Sequence, residues 1–141
     1  MVTPTVLQMT RFVIDATTLV HLVTEGLRIS PSHQIVAPST IRSQALSLLF
    51  EAVSRGDLSE AAALRQHEGI TELKMRMLGD RVSRRTAWNI ARQQGWATTF
   101  DAEYLAVTRL QADALVTVEP TLAEKAKGVV PMAPLEALSA D

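Results

Sequence analysis

The chain has 141 residues, of which 47% are hydrophobic and 4% aromatic, which is enough for one domain, residues 1–141, with a real buried core. Fourteen basic and fifteen acidic residues give a net charge of −1, so any contact with nucleic acid must rely on a local basic patch. The absence of cysteine excludes disulfides, thiolate zinc sites and a cysteine nucleophile. No secretion signal or membrane-spanning run is evident, so we expect a soluble cytoplasmic protein.

The first half of the chain predicts one strand followed by three helices. The apolar run from Arg11 to Ile14 predicts a buried strand, and a helix follows from Thr17 until Gly26 ends it. After a loop at 30–33, the longest helix begins at 38–39 and ends at 55–56, with apolar residues at three-to-four spacing along one stripe. A further helix is capped by 57–59 and reaches about His67.

The second half predicts alternating helices and strands. Residues 70–78 fit either a strand or an irregular connection, and a helix then runs from Arg81 to Gln94, closed by Gly95. Another helix opens at 100–101, a strand covers 114–118, and a short helix starts at Pro120. Strands separated by helices predict a parallel sheet with right-handed crossovers.

Acidic side chains occur where strands give way to helices. Asp15 ends the first strand, and Glu119 follows the later one. Because ligands bind outside the carboxyl ends of parallel strands, these carboxylates indicate a metal site. Asp101 stands at the start of a predicted helix, where an N-cap role is the favoured explanation when the residue is taken alone, although capping does not exclude metal binding. Thr17 and Thr117 lie two residues from Asp15 and Glu119, where a hydroxyl would either orient a carboxylate or bond the local backbone.

Four segments in this order resemble the PIN-domain ribonuclease family, in particular the VapC-like toxins of bacterial toxin–antitoxin pairs. The resemblance implies a three-layer α/β/α, Rossmann-like domain with a mainly parallel central sheet. It also implies a metal-dependent endoribonuclease that forms a homodimer and is inhibited by a small antitoxin protein. The segments are Val13-Ile14-Asp15-Ala16-Thr17, Ala37-Pro38-Ser39 with Arg42-Ser43-Gln44, the run 99–106 and the run 115–119.

The family resemblance also assigns roles to the polar residues. Four carboxylates in that family hold Mg²⁺ (or Mn²⁺), which activates water and neutralises charge on the phosphodiester. Asp15 takes the first position and Asp101 the third. Gln44 stands where the long helix is expected to carry a glutamate, and Glu119 stands where an aspartate is expected. The loss of charge at Gln44 predicts weaker metal binding and a single ion rather than two.

An RNA path is indicated on the helix from Arg81. Five residues there fall on or near one face and combine cations with an aromatic ring, as in proteins that bind single strands. The opposite, apolar face consists of Val82, Ala87, Ile90 and Ala91. A solvated or dimer-forming face is the alternative. Arg42, two residues before Gln44, is a further candidate for a phosphate or an internal carboxylate. The five residues are Arg81, Arg84, Arg85, Trp88 and Arg92.

Three functions follow from this sequence. The leading one is a metal-dependent endoribonuclease in which Asp15, Asp101 and Glu119 bind the ion and Gln44 lines the site. The second is a PIN-like module whose nuclease activity has decayed and which binds RNA or protein, because Gln44 lacks the charge. The third, an unrelated α/β domain that binds a small molecule, has little support beyond the fold.

Overall fold

The central sheet of this computed structural model, which describes residues 9–141, has four parallel strands. Their order is β3-β2-β1-β4, so β1 lies inside the sheet and pairs with both β2 and β4. Val13 of β1 is opposite Val36 on one side and Leu115 on the other. The predicted parallel sheet is confirmed. The strands are β1 (Thr10–Ile14), β2 (His33–Pro38), β3 (Arg76–Leu78) and β4 (Ala114–Val116).

Six helices and one short 3₁₀ helix surround the sheet in a three-layer α/β/α arrangement. Helices α1, α2 and α3 pack on one another, α4 packs along α5, and α5 lies against strands β1, β2 and β4. No helix in residues 9–141 is long and apolar enough to cross a membrane. The helices are α1 (Ala16–Thr24), α2 (Ile41–Ser54), α3 (Glu60–Glu72), α4 (Arg81–Gln94), α5 (Phe100–Gln111), α6 (Pro120–Ala126) and the 3₁₀ helix Leu135–Leu138.

The hydrophobic core is centred on β1. Residues 12–14 are all buried, as expected for a parallel strand with helices on both faces. Because all four strands run the same way, the residues that directly follow them meet at one edge of the sheet. We call this edge the carboxyl edge; it is defined by Asp15, Ser39, Gly79 and Thr117.

Strand β2 was not predicted from the sequence. The prediction for the longest helix is therefore wrong at its start, because Pro38 is the last residue of β2 and α2 begins at Ile41. The ambiguous segment 70–78 divides between the end of α3 and strand β3. Helix α3 continues five residues past the predicted end at His67, through Gly69. Gly69 lies against α1, where an added Cβ would be 2.7 Å from Val23 Cγ1.

Helix α4 was predicted with its exact bounds. The Asp80 side chain accepts a hydrogen bond from the Ser83 backbone N–H at 2.8 Å, and Gly95 ends the helix with a φ of +72°. Ile90 lies in the core as expected, whereas Val82, which we placed on the buried face, is 60% exposed. Val82 is in the first turn of α4.

Candidate functional site at the carboxyl edge

Asp15 is the most deeply buried acid of the carboxyl edge, with 5% of its surface exposed. It follows β1 directly and is the N-cap residue of α1. The Thr18 hydroxyl donates to Asp15 Oδ1 and accepts from the Val118 backbone N–H at 3.0 Å. The Thr117 hydroxyl is close enough to lower the pKa of the Asp15 carboxyl as well. Asp15 thus links the end of β1 to the loop after β4.

The charge of Asp15 is not balanced by a cation. Within residues 9–141 no lysine, arginine or histidine forms an ion pair with it. Burial raises the pKa of the Asp15 carboxyl above its ordinary value, and the hydroxyls of Thr18 and Thr117 oppose that shift only in part. A carboxylate that is buried without a cation costs free energy in the folded protein, so Asp15 is the best candidate for a functional group.

Gln44 lies at the same edge but already has a partner. The Tyr104 hydroxyl of α5 donates a hydrogen bond to Gln44 Oε1. Burial raises the pKa of Tyr104 well above its ordinary value, and the nearby charge of Asp15 raises it further. Tyr104 therefore remains a neutral donor, and the oxygen through which Gln44 would contribute to a metal site is bonded to a protein hydroxyl.

Asp101 is paired with a cation. It is not the N-cap of α5, as one interpretation proposed, because Thr99 holds that position and Asp101 lies in the first turn. Lys125 Nζ of α6 is 2.8 Å from Asp101 Oδ2, and the two side chains are 35% and 36% exposed. The same ammonium group lies 5.1 Å from the centre of the Trp96 ring. Two attractive contacts thus hold Lys125 beside Asp101.

Glu119 caps helix α6. Its Oε1 accepts a hydrogen bond from the Thr121 backbone N–H at 3.2 Å, and Pro120 is the first residue of the helix. The Glu119 backbone N–H donates to Thr117 Oγ1 at 3.0 Å. Thr117 therefore holds the backbone of Glu119 on the side of the loop that lies near Asp15. Glutamate is not among the preferred N-cap residues, yet Glu119 takes that role here.

These residues do not fit a divalent-metal site as they stand. No group of three or more histidine, cysteine or acidic side chains within the described 133-residue stretch, 9–141, is arranged to hold a metal ion. Each expected ligand already has a protein partner for one of its oxygens: Asp15 accepts from Thr18, Gln44 accepts from Tyr104, Asp101 pairs with Lys125, and Glu119 caps α6. Mg²⁺ is held by one or two carboxylates together with waters, so binding here would require Asp101 or Glu119 to give up its present partner.

The predicted basic face of α4 forms an open groove. Arg81, Arg84, Arg85 and Trp88 line a surface depression of about 660 Å³, which we call the arginine groove. Trp88 is 59% exposed, so its ring is free to stack. Arg42 lies elsewhere, and its Nη2 donates to the Leu73 carbonyl at 3.1 Å. Arg42 therefore holds the end of α3 rather than facing the carboxyl edge.

Three residues at the carboxyl edge were not selected from the sequence. Thr18 holds Asp15, whereas Thr17 makes no side-chain hydrogen bond to any described residue. The spacing explains this difference, because a side chain at the third helical position faces back toward the N-cap residue. Tyr104 and Lys125 reach the edge from α5 and α6, and no local pattern indicates their partners.

Comparisons with known proteins support the fold. No family model matches the chain, and no curated protein matches it. Among solved structures, the chain is similar to the crystal structure of PAE2754 from Pyrobaculum aerophilum, with a TM-score of 0.71 and 23% sequence identity. The similarity covers 92% of this chain and 93% of that chain. The α/β/α architecture therefore extends over nearly the whole length of both proteins.

Proposed function

We propose that this protein is a PIN-like domain that binds single-stranded RNA at its carboxyl edge and has lost metal-dependent hydrolysis. The observation that carries this proposal is the pairing at the edge. Gln44 accepts from Tyr104, and Asp101 is held by Lys125, so two of the four expected ligand positions are neutral or neutralised. With Gln44 uncharged and Asp101 paired with Lys125, the domain keeps its fold but has less negative charge to hold a divalent ion.

The arginine groove supports RNA as the ligand. Its three guanidinium groups offer donors for phosphate oxygens, and the exposed ring of Trp88 offers a surface for a base. Because the whole chain carries a charge of only −1, this local concentration of cations is what would attract RNA. Single-stranded RNA suits the groove because its bases are free to stack.

A second candidate, the metal-dependent endoribonuclease of the toxin type, is favoured by Asp15. Its buried carboxylate has no cation within residues 9–141, and Mg²⁺ or Mn²⁺ would relieve that charge. Glu119 and Asp101 would then have to leave their present partners. The homodimer, the small antitoxin and the cytoplasmic location belong to this candidate and are proposals that derive from the family resemblance.

The test compares RNA binding, Mn²⁺ binding and RNA cleavage in three proteins. We expect the natural chain to bind a labelled single-stranded oligonucleotide, as measured by fluorescence anisotropy, and to leave it intact with Mg²⁺ or Mn²⁺. The double variant Gln44→Glu, Lys125→Gln should bind Mn²⁺ at least about tenfold more tightly in calorimetry, because a glutamate still accepts from Tyr104 and Asp101 is released.

The matched control is Gln93→Glu with Lys127→Gln, which makes the same charge change at exposed positions away from the edge. It should bind Mn²⁺ as the natural chain does. Cleavage by the natural chain that Asp15→Ala abolishes would establish the endoribonuclease and overturn our proposal. Absence of RNA binding by the natural chain would also overturn it.

A further inference from the structure

A second polar cavity lies at the carboxyl edge, beside the residues described above. It has a volume of about 210 Å³ and is formed where the ends of β2 and β3 face α4 and α5. Its polar lining consists of Ser39, Thr40, Ser83, Arg84 and Glu103. None of these residues belongs to the expected set of metal ligands, so the cavity is a site of its own.

Glu103 is the unusual group of this cavity. It is half-buried, and its side chain forms no hydrogen bond or ion pair with any residue in the described stretch 9–141. Burial raises the pKa of the Glu103 carboxyl, and the charge of Arg84 opposes that shift. A carboxylate that loses water without gaining a protein donor is suited to accept hydrogen bonds from a ligand.

Arg84 supplies donors on the other side of the cavity. Its Nε and Nη2 both donate to the Gly79 carbonyl, the former at 3.2 Å, which fixes the plane of the guanidinium. Its Nη1 has no partner among the described residues and remains available. Arg84 also lines the arginine groove, so one side chain connects the groove to the cavity.

The cavity is rigid because its floor is closely packed. A Cβ added at Gly79 would lie 2.4 Å from Ser39 Oγ and 3.2 Å from Ser39 Cβ, so the Ser39 side chain would have to move to make room for it. The Ser39 backbone N–H donates to the Leu78 carbonyl at 2.8 Å, which ties the two strand ends together. A rigid cavity with fixed donors and acceptors selects a ligand by its hydrogen-bond pattern.

We propose that this cavity holds one guanine base of a bound RNA strand, with Glu103 accepting from the base N1–H and N2–H and Arg84 Nη1 donating to O6 or N7. Guanine presents two adjacent N–H donors to a single carboxylate, whereas adenine and cytosine present one amino group and uracil one ring N–H. Arginine is the common partner of guanine O6 and N7. The inference rests on the proposed function and specifies its substrate: single-stranded RNA that contains an unpaired guanine.

The test uses labelled oligouridylates that carry one internal guanine, adenine or cytosine. We expect the natural protein to bind the guanine oligonucleotide about tenfold more tightly than the other two, as one bidentate base contact provides. Glu103→Gln should reduce that ratio to about one, because an amide replaces one acceptor with a donor. The control Glu124→Gln removes the same charge from an exposed position and should keep the ratio.

Guanosine monophosphate alone, titrated in calorimetry, separates the two proposals. If the oligonucleotides bind without a base preference, the guanine-site proposal is overturned and the RNA-binding proposal stands. A guanine preference that is retained in Glu103→Gln has the same consequence. Guanosine monophosphate that binds in a Glu103-dependent way, with no oligonucleotide bound, keeps the guanine site and overturns RNA binding. If neither guanosine monophosphate nor any oligonucleotide binds, both proposals are overturned.

Discussion

Asp15 is a single residue whose burial opposes its charge. Burial raises the pKa of the Asp15 carboxyl, the hydroxyls of Thr18 and Thr117 oppose that shift, and no cation within residues 9–141 pairs with it. A raised carboxyl pKa means that the folded state disfavours the ionised form relative to the unfolded chain. The resulting loss of stability is absent below about pH 4, where both states are protonated. It develops as the pH rises through the folded pKa and is complete above it.

Asp15→Asn should therefore stabilise the protein at neutral pH. Asparagine has nearly the same shape and still accepts the Thr18 hydrogen bond, while the buried charge is gone. We expect the melting temperature to rise by a few degrees at pH 7 and the gain to disappear toward about pH 4. Scanning calorimetry at both pH values measures it. The control Asp57→Asn, which removes an acid from an exposed ion pair, should change the melting temperature little. A lower melting temperature for Asp15→Asn at pH 7 would contradict the explanation.

At the residue scale, the sequence indicated positions but not partners. Asp15 was recognisable because an isolated acid at the end of an apolar strand is unusual. Nothing near Asp101 in the sequence indicated Lys125, which lies 24 residues later on another helix. Likewise the hydrogen bond between Gln44 and Tyr104 joins residues 60 positions apart. Partners of this kind depend on how helices pack, which short patterns do not encode.

Helix α4 shows how far a pattern of apolar residues determines an element. Its N-cap aspartate, its C-terminal glycine and its amphipathic spacing fixed both ends correctly. Strand β2 was missed because its six residues, with a histidine, a glutamine and a terminal proline, show no clear alternation. Its strand conformation is imposed by pairing with β1 and β3 on either side.

The two apolar residues of α4 that we had placed on one face should differ in their effect on stability. Ile90→Ala removes a side chain that is 1% exposed and leaves a cavity, at a cost of about 2–5 kcal/mol in the free energy of unfolding. Val82→Ala, at a 60% exposed position, should change it by about 0.5 kcal/mol or less. Urea denaturation of both variants measures the two changes in the free energy of unfolding. Similar losses of stability in the two variants would show that Val82 is covered in solution.

At the scale of the whole molecule, the acidic and basic residues nearly balance, so RNA binding depends on where the cations lie. Three arginines converge on the arginine groove, while Arg55 lies exposed at the end of α2 and Arg65 lies exposed in the middle of α3. RNA affinity falls as the salt concentration rises, because binding releases counterions from the phosphates. For each contacted phosphate, the binding constant falls by about 0.7 log units per tenfold increase in salt.

Arg81→Gln with Arg85→Gln should weaken RNA binding about tenfold and reduce the salt slope by about 1.4, as expected if each residue contacts one phosphate. Anisotropy titrations over a range of salt concentrations measure both quantities. The control pair Arg55→Gln and Arg65→Gln makes the same change in net charge outside the groove. Equal losses in the two double variants would show that the groove is not the RNA path.

The sequence by itself determined the fold class, the bounds of α4 and the position of the acids at strand ends. Each of these depends on local periodicity, capping residues and turn residues, which act over a few positions. Only the tertiary structure decided which acids remain unpaired, because Lys125, Tyr104 and Thr18 reach the carboxyl edge from three different helices. It also created the cavity of Glu103, since the convergence of two strand ends and two helices is a property of packing.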